Sequence, residues 1–440
     1  MPQTDNSRPQ QTFVLLELLN HMVLVAQEAK RRGLRIVALN QGPLQDQGPF
    51  AVPDGLVDEV IPVASWADDD AVRPVLDAVL ARHDVAGTYA AFEGALRHEA
   101  ELRERAGLPT SGAGPVGRAL DKYWVRRTLY AAGLSALRSV SLDEALTWDT
   151  WEFGRPGVLK PANGTGSALC FTVASLDELR EAAGQAAAAP VVNALMKEYI
   201  LAHGAFVLEE RAEGELLSVE SLVDRGEIHV VGLTGRYLSA RDAVVEQGVV
   251  FPYEHPRRAE IEARAAEFHR ALGITHGPTH LEVMVPDDGP IELIDFNLRT
   301  AGVAMAVCIG NAYDIPYAAP LVAIARGHRP DLAFLGRTPR YSADMLLLPP
   351  PGATEMRELT FPPGTEYGRL TKAVGEPLSG RADQLDVVGM VVVTAERPEE
   401  LHEKAMAARR DTLFGGRPLG DNPNNRLVPP RFPQLDPASA

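Results

Sequence analysis

The chain of 440 residues is short of cysteine, with only Cys170 and Cys308. That pair can build neither a disulfide framework nor a CxxC metal site, which favours a reducing, cytosolic setting. Clusters of lysine and arginine are also missing, and the net charge is −16. Nucleic acid is therefore not expected as a partner, because neutralising a phosphate backbone takes a basic face. No apolar run reaches the roughly 18 residues of a membrane span. The polar start MPQTDNSRPQQ lacks the charged-then-apolar order of a signal peptide. The expectation is a cytoplasmic protein that meets neither membrane nor nucleic acid. Lysine is scarce as well: Lys30, Lys122, Lys160, Lys197, Lys372 and Lys404 are the only six among 43 basic residues. A lysine kept against that preference for arginine suggests work for a compact point charge.

What is present reads as α/β and α+β, in several domains. From Thr12 to Thr110 strands such as TFVLLEL, LRIVALN and VAGTYAAF alternate with helices such as VRPVLDAVLARH and ALRHEAELRERAG. Strands spaced by helices imply a parallel, doubly wound sheet. No GxGxxG follows the first strand, so the unit reads as a scaffold or substrate-side domain rather than a dinucleotide site. LPTSGAGPVGR reads as a linker, and RALDKYWVRRTLYAAG as one helix carrying Asp121 and Lys122. Strands predominate from residue 205 to 300, a smaller α+β region covers 335–415, and the last twenty residues read as a disordered tail.

Four stretches could carry chemistry. In THLEVMVPDDGPIELIDFNLR, a four-residue DDGP loop would place Glu282 opposite Asp295, on the same face as Asn297, with Arg299 one step further. Two opposed carboxylates repel unless neutralised, and two carboxylates with an amide suit Mg²⁺; a solvated acidic strand face is the other reading. KPANGTGS follows Lys160 with Gly164 and Gly166, a turn whose N–H groups could cradle phosphate, although it is no Walker A loop. Lys122 lies upstream on a helix. In FVLEERAEGELLSVE, Glu209 and Glu210 end a strand whose backbone could read an adenine edge, and Glu220 interrupts the next strand.

In this order the stretches ALDKYWVRRTLYAAGL, VLKPANGTGS, VLEER…SVE, VVEQGVVFPY and GPTHLEV…IELIDFNLRTAG resemble those of ATP-grasp enzymes over roughly residues 12–415. VVEQGVVFP and GPTHLEV are most similar to the carboxylate–amine ligases that form dipeptides and related amides, the L-amino-acid ligase group. The resemblance implies an ATP-grasp fold with an N-terminal pre-ATP-grasp domain (1–114), a small lobe (115–204), a central lobe (205–330), a C-terminal lobe (331–420) and the tail (421–440). It also implies that Lys122 and Lys160 hold ATP phosphates beneath a loop of Gly164, Thr165, Gly166 and Ser167. Glu209, Glu210 and Ala212 would form the adenine hinge, with Glu220 near the ribose or the metal. Glu282, Asp295 and Asn297 would bind two Mg²⁺ ions, for which Mn²⁺ could substitute.

Arg299 would face the transferred phosphoryl, and Lys160 and Arg299 would be catalytic. Glu246, His280, Arg299 and Gly302 would meet amino-acid or peptide substrates, and a homodimer would fit the group. Two departures lie near the substrates: GTGSALC lacks the basic residue that often follows this loop, and Thr300-Ala301-Gly302-Val303 replaces paired glycines. The implied reaction makes an acyl phosphate from ATP and a carboxylate, then an amide from an amine. Peptide–amino-acid ligation, carrier-protein acylation, carboxylation and non-catalytic nucleotide binding stay open beside it.

Overall fold

The computed structural model describes residues 10–19, 21–42, 44, 52–164, 169–188, 205–240, 246–302, 304–378, 380, 386–420 and 422–431. Its N-terminal unit is a four-stranded parallel sheet: Glu59–Pro62, Arg35–Asn40, Thr12–Leu16 and Val85–Ala90 in that spatial order. The central strand TFVLL is buried along its whole length, as expected of a parallel strand covered on both faces. Helix Glu93–Arg105 follows the last strand directly and leaves Glu93 in its first turn, at the carboxyl end of the sheet.

The supposed linker is partly helical, with Ala113–Ala119 forming a short helix after Gly112. The helix expected across residues 118–133 is broken at Asp121. That carboxylate accepts from Tyr123 N and Trp124 N, so it caps a new helix, Lys122–Ala131, and turns the chain there. Lys122 is thus a first-turn residue, and its N–H bonds Ala162 O in the KPANG turn at 2.9 Å.

A four-stranded antiparallel sheet comes next, in the order Ser139–Ser141, Phe206–Glu210, Gly157–Pro161, Phe171–Val173. Helix Leu176–Ala188 covers it, and Ser175 Oγ and the Glu178 carboxylate bond backbone N–H groups at the helix start, close to the expected capping box.

The largest element is a nine-stranded sheet. Its path runs Glu292–Asn297, Gly277–Val285, Glu215–Asp224, Glu227–Ser239, Glu246–Phe251, Tyr341–Leu347, Gly389–Ala395, Tyr367–Leu370. Segments 205–330 and 331–420 therefore share one sheet and one buried cluster that runs from Leu217 through Phe296 to Val391 and Leu401.

The tail is not loose where it is described. Leu427–Val428 pairs with Leu238 and Ser239, Asn422 and Asn424 donate to Pro349 O, and Arg409 donates to Asn425. A Pro- and Asn-rich composition suggested disorder, but here the amide side chains take the place of a regular ladder. Among the described residues no single helix is long and apolar enough to cross a membrane.

The hairpin corrects one detail that decides the site. Glu282 does pair with Asp295, and His280 with Asn297, but nearer the turn Val283 pairs with Leu293 and Met284 with Glu292. The two halves differ by one residue, so the turn holds an odd number of residues, not four. A bulge at Ile294 takes up the difference and returns Asp295 to the face of Glu282. Three cations hold this arrangement. Arg257 donates to Pro286 O and Gly289 O in the turn, Arg126 to Leu293 O, and Lys160 to Ile294 O. Gly214 brings the neighbouring turn against the same strand end. Its φ is +135°, and a Cβ there would stand 2.5 Å from the Val285 carbonyl.

Candidate active site

One face of the large sheet carries the polar row. Register pairing sets Thr234, Ser218, Glu282 and Asp295 side by side across four strands, and two residues along it aligns Gly232, Glu220, His280 and Asn297. Alternation along each strand puts these on one side, while Leu281 and Phe296 point into the core on the other. Behind Asp295 and Asn297, Phe296 meets the His269 ring edge-on at a centroid distance of 5.0 Å. The site strand is therefore wet on one face and packed on the other.

Each acidic group on this face has a cation. Lys122 Nζ lies 2.5 Å from Asp295 Oδ1, and Arg236 Nη2 lies 3.1 Å from Glu282 Oε1. Arg236 also pairs with Glu246, which joins the next strand to the group. Burial opposes ionisation of Glu282, but Arg236, His280 and Lys122 outweigh it and hold its carboxyl well below the usual range. Glu220 is buried, accepting from Thr234 Oγ1 at 3.0 Å and bonding His280 Nδ1 at 2.9 Å. Burial works against a charged imidazole, yet Glu220 and then Glu282 push His280 up to about 8. Lys122 is disfavoured as a cation by burial but stays charged because Asp295 outweighs that cost.

Lys160 belongs to a second, deeper cluster. Its Nζ is 2.8 Å from Glu209 and also reaches Ile294 O, so it joins the small lobe to the bulge. Arg126, 3% exposed, bridges Glu209 at 3.3 Å and Glu292 at 3.2 Å. Burial raises the Glu209 pKa, but Lys160 and Arg126 more than reverse this and hold the carboxylate low. Glu210 is gripped by Arg138, and the N–H groups of Glu210 and Arg211 bond Arg138 O and Pro156 O. The carboxylates expected at an adenine hinge are thus both held in ion pairs. Ala212, 8% exposed, lies just beyond them.

Arg299 extends from the end of the hairpin towards the N-terminal unit. Glu93 accepts from its Nε at 2.7 Å and stands 2.6 Å from Nη2, while Nη2 is 3.5 Å from Asn297 Oδ1. Burial lowers the guanidinium's affinity for its proton, but Glu93 overcomes this and keeps it charged. Beside it, His21 Nε2 bonds Tyr89 OH at 3.1 Å, and Tyr89 donates to Thr300 Oγ1. Burial, then the charge of Arg299, hold His21 down to about 4, so it is neutral. Gly302 follows, at φ +29°.

The structure therefore brings Lys122, Glu220, Glu246, His280, Glu282, Asp295, Asn297 and Arg299 to one surface, with Lys160 at its edge. Thr165, Gly166 and Ser167 lie outside the described residues. Sequence reasoning missed Glu93, Arg126, Arg236 and Glu292. Arg236 had one signal, a lone charge inside the apolar strand EIHVVGLTGRYLS, and Arg126 another, its place on the buried stripe with Val125 and Leu129. Glu93 had none.

A divalent cation fits the chemistry of Glu282, Asp295 and Asn297, which are hard oxygen donors on adjoining strands. Among the described residues no three His, Cys, Asp or Glu side chains group as a metal site. The set rests on two carboxylates and an amide, and Lys122 and Arg236 neutralise the carboxylates in this state.

Residues 153–307 match the ATP-grasp domain family, and the architecture as a whole is the ATP-grasp fold. The crystal structure of an L-amino acid ligase from Bacillus licheniformis superposes with a TM-score of 0.76 at 18% identity, covering 93% of this chain and 99% of that one. Phosphoribosylglycinamide synthetase from Anaerococcus prevotii gives 0.68 at 12% identity, covering 92% and 99%. The biotin carboxylase domain of the Hydrogenobacter thermophilus 2-oxoglutarate carboxylase, solved with MgADP and bicarbonate, gives 0.68 at 16%, covering 92% and 91%. At such identities the likeness establishes the fold. A curated relative, the uncharacterized protein y4rH of Sinorhizobium fredii, is 24% identical over 323 residues, or 71% of this chain. The match spans 64% of that protein's length, less than two thirds of it.

Proposed function

We propose that the protein is an ATP-dependent carboxylate–amine ligase that joins an amino acid or related acid to the amine of an amino acid or peptide, releasing ADP and phosphate. The observation that carries this is the face on which Glu282 and Asp295 stand directly opposed, Lys122 beside them and Arg299 two residues beyond Asn297. A carboxylate attacking a polyphosphate meets like charge, and this face supplies the cations that offset it.

On nucleotide binding, Lys122 exchanges Asp295 for a phosphate oxygen, and Lys160 reaches the same chain from the small lobe. Glu282, Asp295 and Asn297 would hold Mg²⁺, two ions in all with Mn²⁺ as a substitute, supplying charge neutralisation at the phosphates. Glu93 fixes the Arg299 guanidinium so that it faces the transferred phosphoryl without reorganising. The acid's oxygen attacks the γ-phosphorus as ADP leaves; the amine then attacks the acyl carbon and expels phosphate, giving up a proton. His280, charged at neutral pH through Glu220 and Glu282, lies with Glu246 where an amino substrate's carboxylate or amine would be sorted. Glu209, Glu210 and Ala212 border the adenine.

The test is a coupled ADP-release screen over pairs of amino acids and short peptides with Mg²⁺, with products identified by mass. An amide product whose formation equals ADP release is expected. ATP binding with no ADP formed across the screen would leave a nucleotide-binding protein instead, and a bicarbonate requirement would make it a carboxylase.

A further inference from the structure

A cleft of about 400 Å³ opens beside the candidate active site, between helix Glu93–Arg105 and the helices Ala113–Ala119 and Lys122–Ala131. Arg97, Gly114, Gly117, Arg118, Asp121 and Trp124 line it. None of these residues has a place in the nucleotide site described above, and the volume suits a small metabolite.

Its charge is unusual for a chain with net charge −16. Arg118 lies over the Trp124 ring, 5.4 Å from the centroid, and its side chain makes no ion pair or hydrogen bond among the described residues. Arg97 is matched by Asp69, a half-exposed rim residue. The lining acid, Asp121, accepts with Oδ1 from Tyr123 N and Trp124 N, at 2.8 and 3.2 Å. The cleft thus offers two guanidinium groups, that of Arg97 shared with Asp69, and an aromatic wall, with Asp121 as the acid in its lining. Gly117 completes the floor: a Cβ there would come within 2.8 Å of Arg97 Cδ, so an alanine would displace the Arg97 side chain from that helix.

The geometry points to a binding cleft for a small molecule bearing a carboxylate or phosphate, with its oxyanion between Arg97 and Arg118 and its body against Trp124. Guanidinium groups suit such planar, bidentate partners. The same helices reach the reaction centre. Arg97 follows Glu93 by four residues on the same helix face, about 6 Å along the axis, and Asp121 directly precedes Lys122. The occupant is therefore either the anionic tail of a substrate or a separate effector, and the chemistry is shared. Only the choice between these two rests on the ligase assignment.

Binding is tested apart from turnover by calorimetric titration of the full chain with succinate and with inorganic phosphate, at constant ionic strength. Saturable binding is expected, weakened at least about tenfold in Arg118→Ala and in Arg97→Ala, with Gly117→Ala in the same direction. Absence of saturable binding, or unchanged affinity in Arg118→Ala and Arg97→Ala, would overturn the proposal. Once an active substrate pair is known, kinetics name the occupant. A raised KM with unchanged kcat in Arg118→Ala marks a substrate tail. A rate altered by succinate without competition, and insensitive to it in the variant, marks an effector.

Discussion

Replacing Arg126 with Met tests whether the bulge is pinned as described. Methionine is of similar length but removes the charge and every donor. Arg126 is 3% exposed, and its partners Glu209 and Glu292 have side chains only 5% and 7% exposed. Removing one member of a buried ion pair typically costs ~3–5 kcal/mol, because the remaining charge is left uncompensated. Glu209 keeps Lys160 at 2.8 Å, and Glu292 keeps Ser135 Oγ at 2.6 Å and Ala136 N at 2.7 Å. The loss therefore falls at the lower end, about 3 kcal/mol, including the donor withdrawn from Leu293 O. Urea unfolding of the full chain, followed by far-UV circular dichroism, should show a lower midpoint with the slope unchanged. The double variant Arg126→Met/Glu292→Gln removes the orphaned charge and should recover at least about half of the loss. A single variant within about 1 kcal/mol of the parent, or a double variant no better than the single, refutes the pinning.

Other perturbations address the site and its support. Asp295→Asn and Arg299→Ala should fold, since each sits on an intact strand end, yet lose ADP release by at least about a hundredfold; near-normal release in both would dismiss their roles. Glu93→Gln keeps a hydrogen-bond acceptor for Arg299 but removes its charge, so kcat should fall about tenfold with little change in the KM for ATP. A pure KM effect would mean that Glu93 serves binding alone. His269, fully buried, is held down to about 4 by burial, against the hydrogen bond to Ala265 O. The unfolded chain takes up that proton near pH 6.5 and the folded chain only near 4, so the unfolded state binds more protons between them. Stability is then complete above about 6.5 and falls by about 3 kcal/mol as pH drops through 4. In His269→Gln, the slope of stability against pH across this window should shrink by up to about 1.4 kcal/mol per unit. An unchanged slope would show that His269 does not titrate as described.

The alternation in IELIDFNLRT and its pairing with LEV were legible because strand periodicity is local, and the opposition of Glu282 and Asp295 holds. The route to it was not legible. A four-residue turn was expected, whereas an odd turn and a bulge at Ile294 combine to give the same opposition. Bulges leave no periodic trace in a single strand. The break at Asp121 was misread because DKYW continues a helical pattern on both sides, and only the cap geometry shows the restart. The cations that organise the site were hidden by distance along the chain. Arg126 meets Glu292 across 166 positions and Arg299 meets Glu93 across 206, so no spacing rule links them. Lysine scarcity was the better guide, since Lys122 and Lys160 both lie at the site.

The central claim, activation of a carboxylate by phosphoryl transfer, is tested most directly with an acid labelled with ¹⁸O in its carboxylate. Attack of that oxygen on the γ-phosphorus predicts one ¹⁸O in the phosphate released for each amide formed. Unlabelled phosphate accompanying amide formation would contradict it.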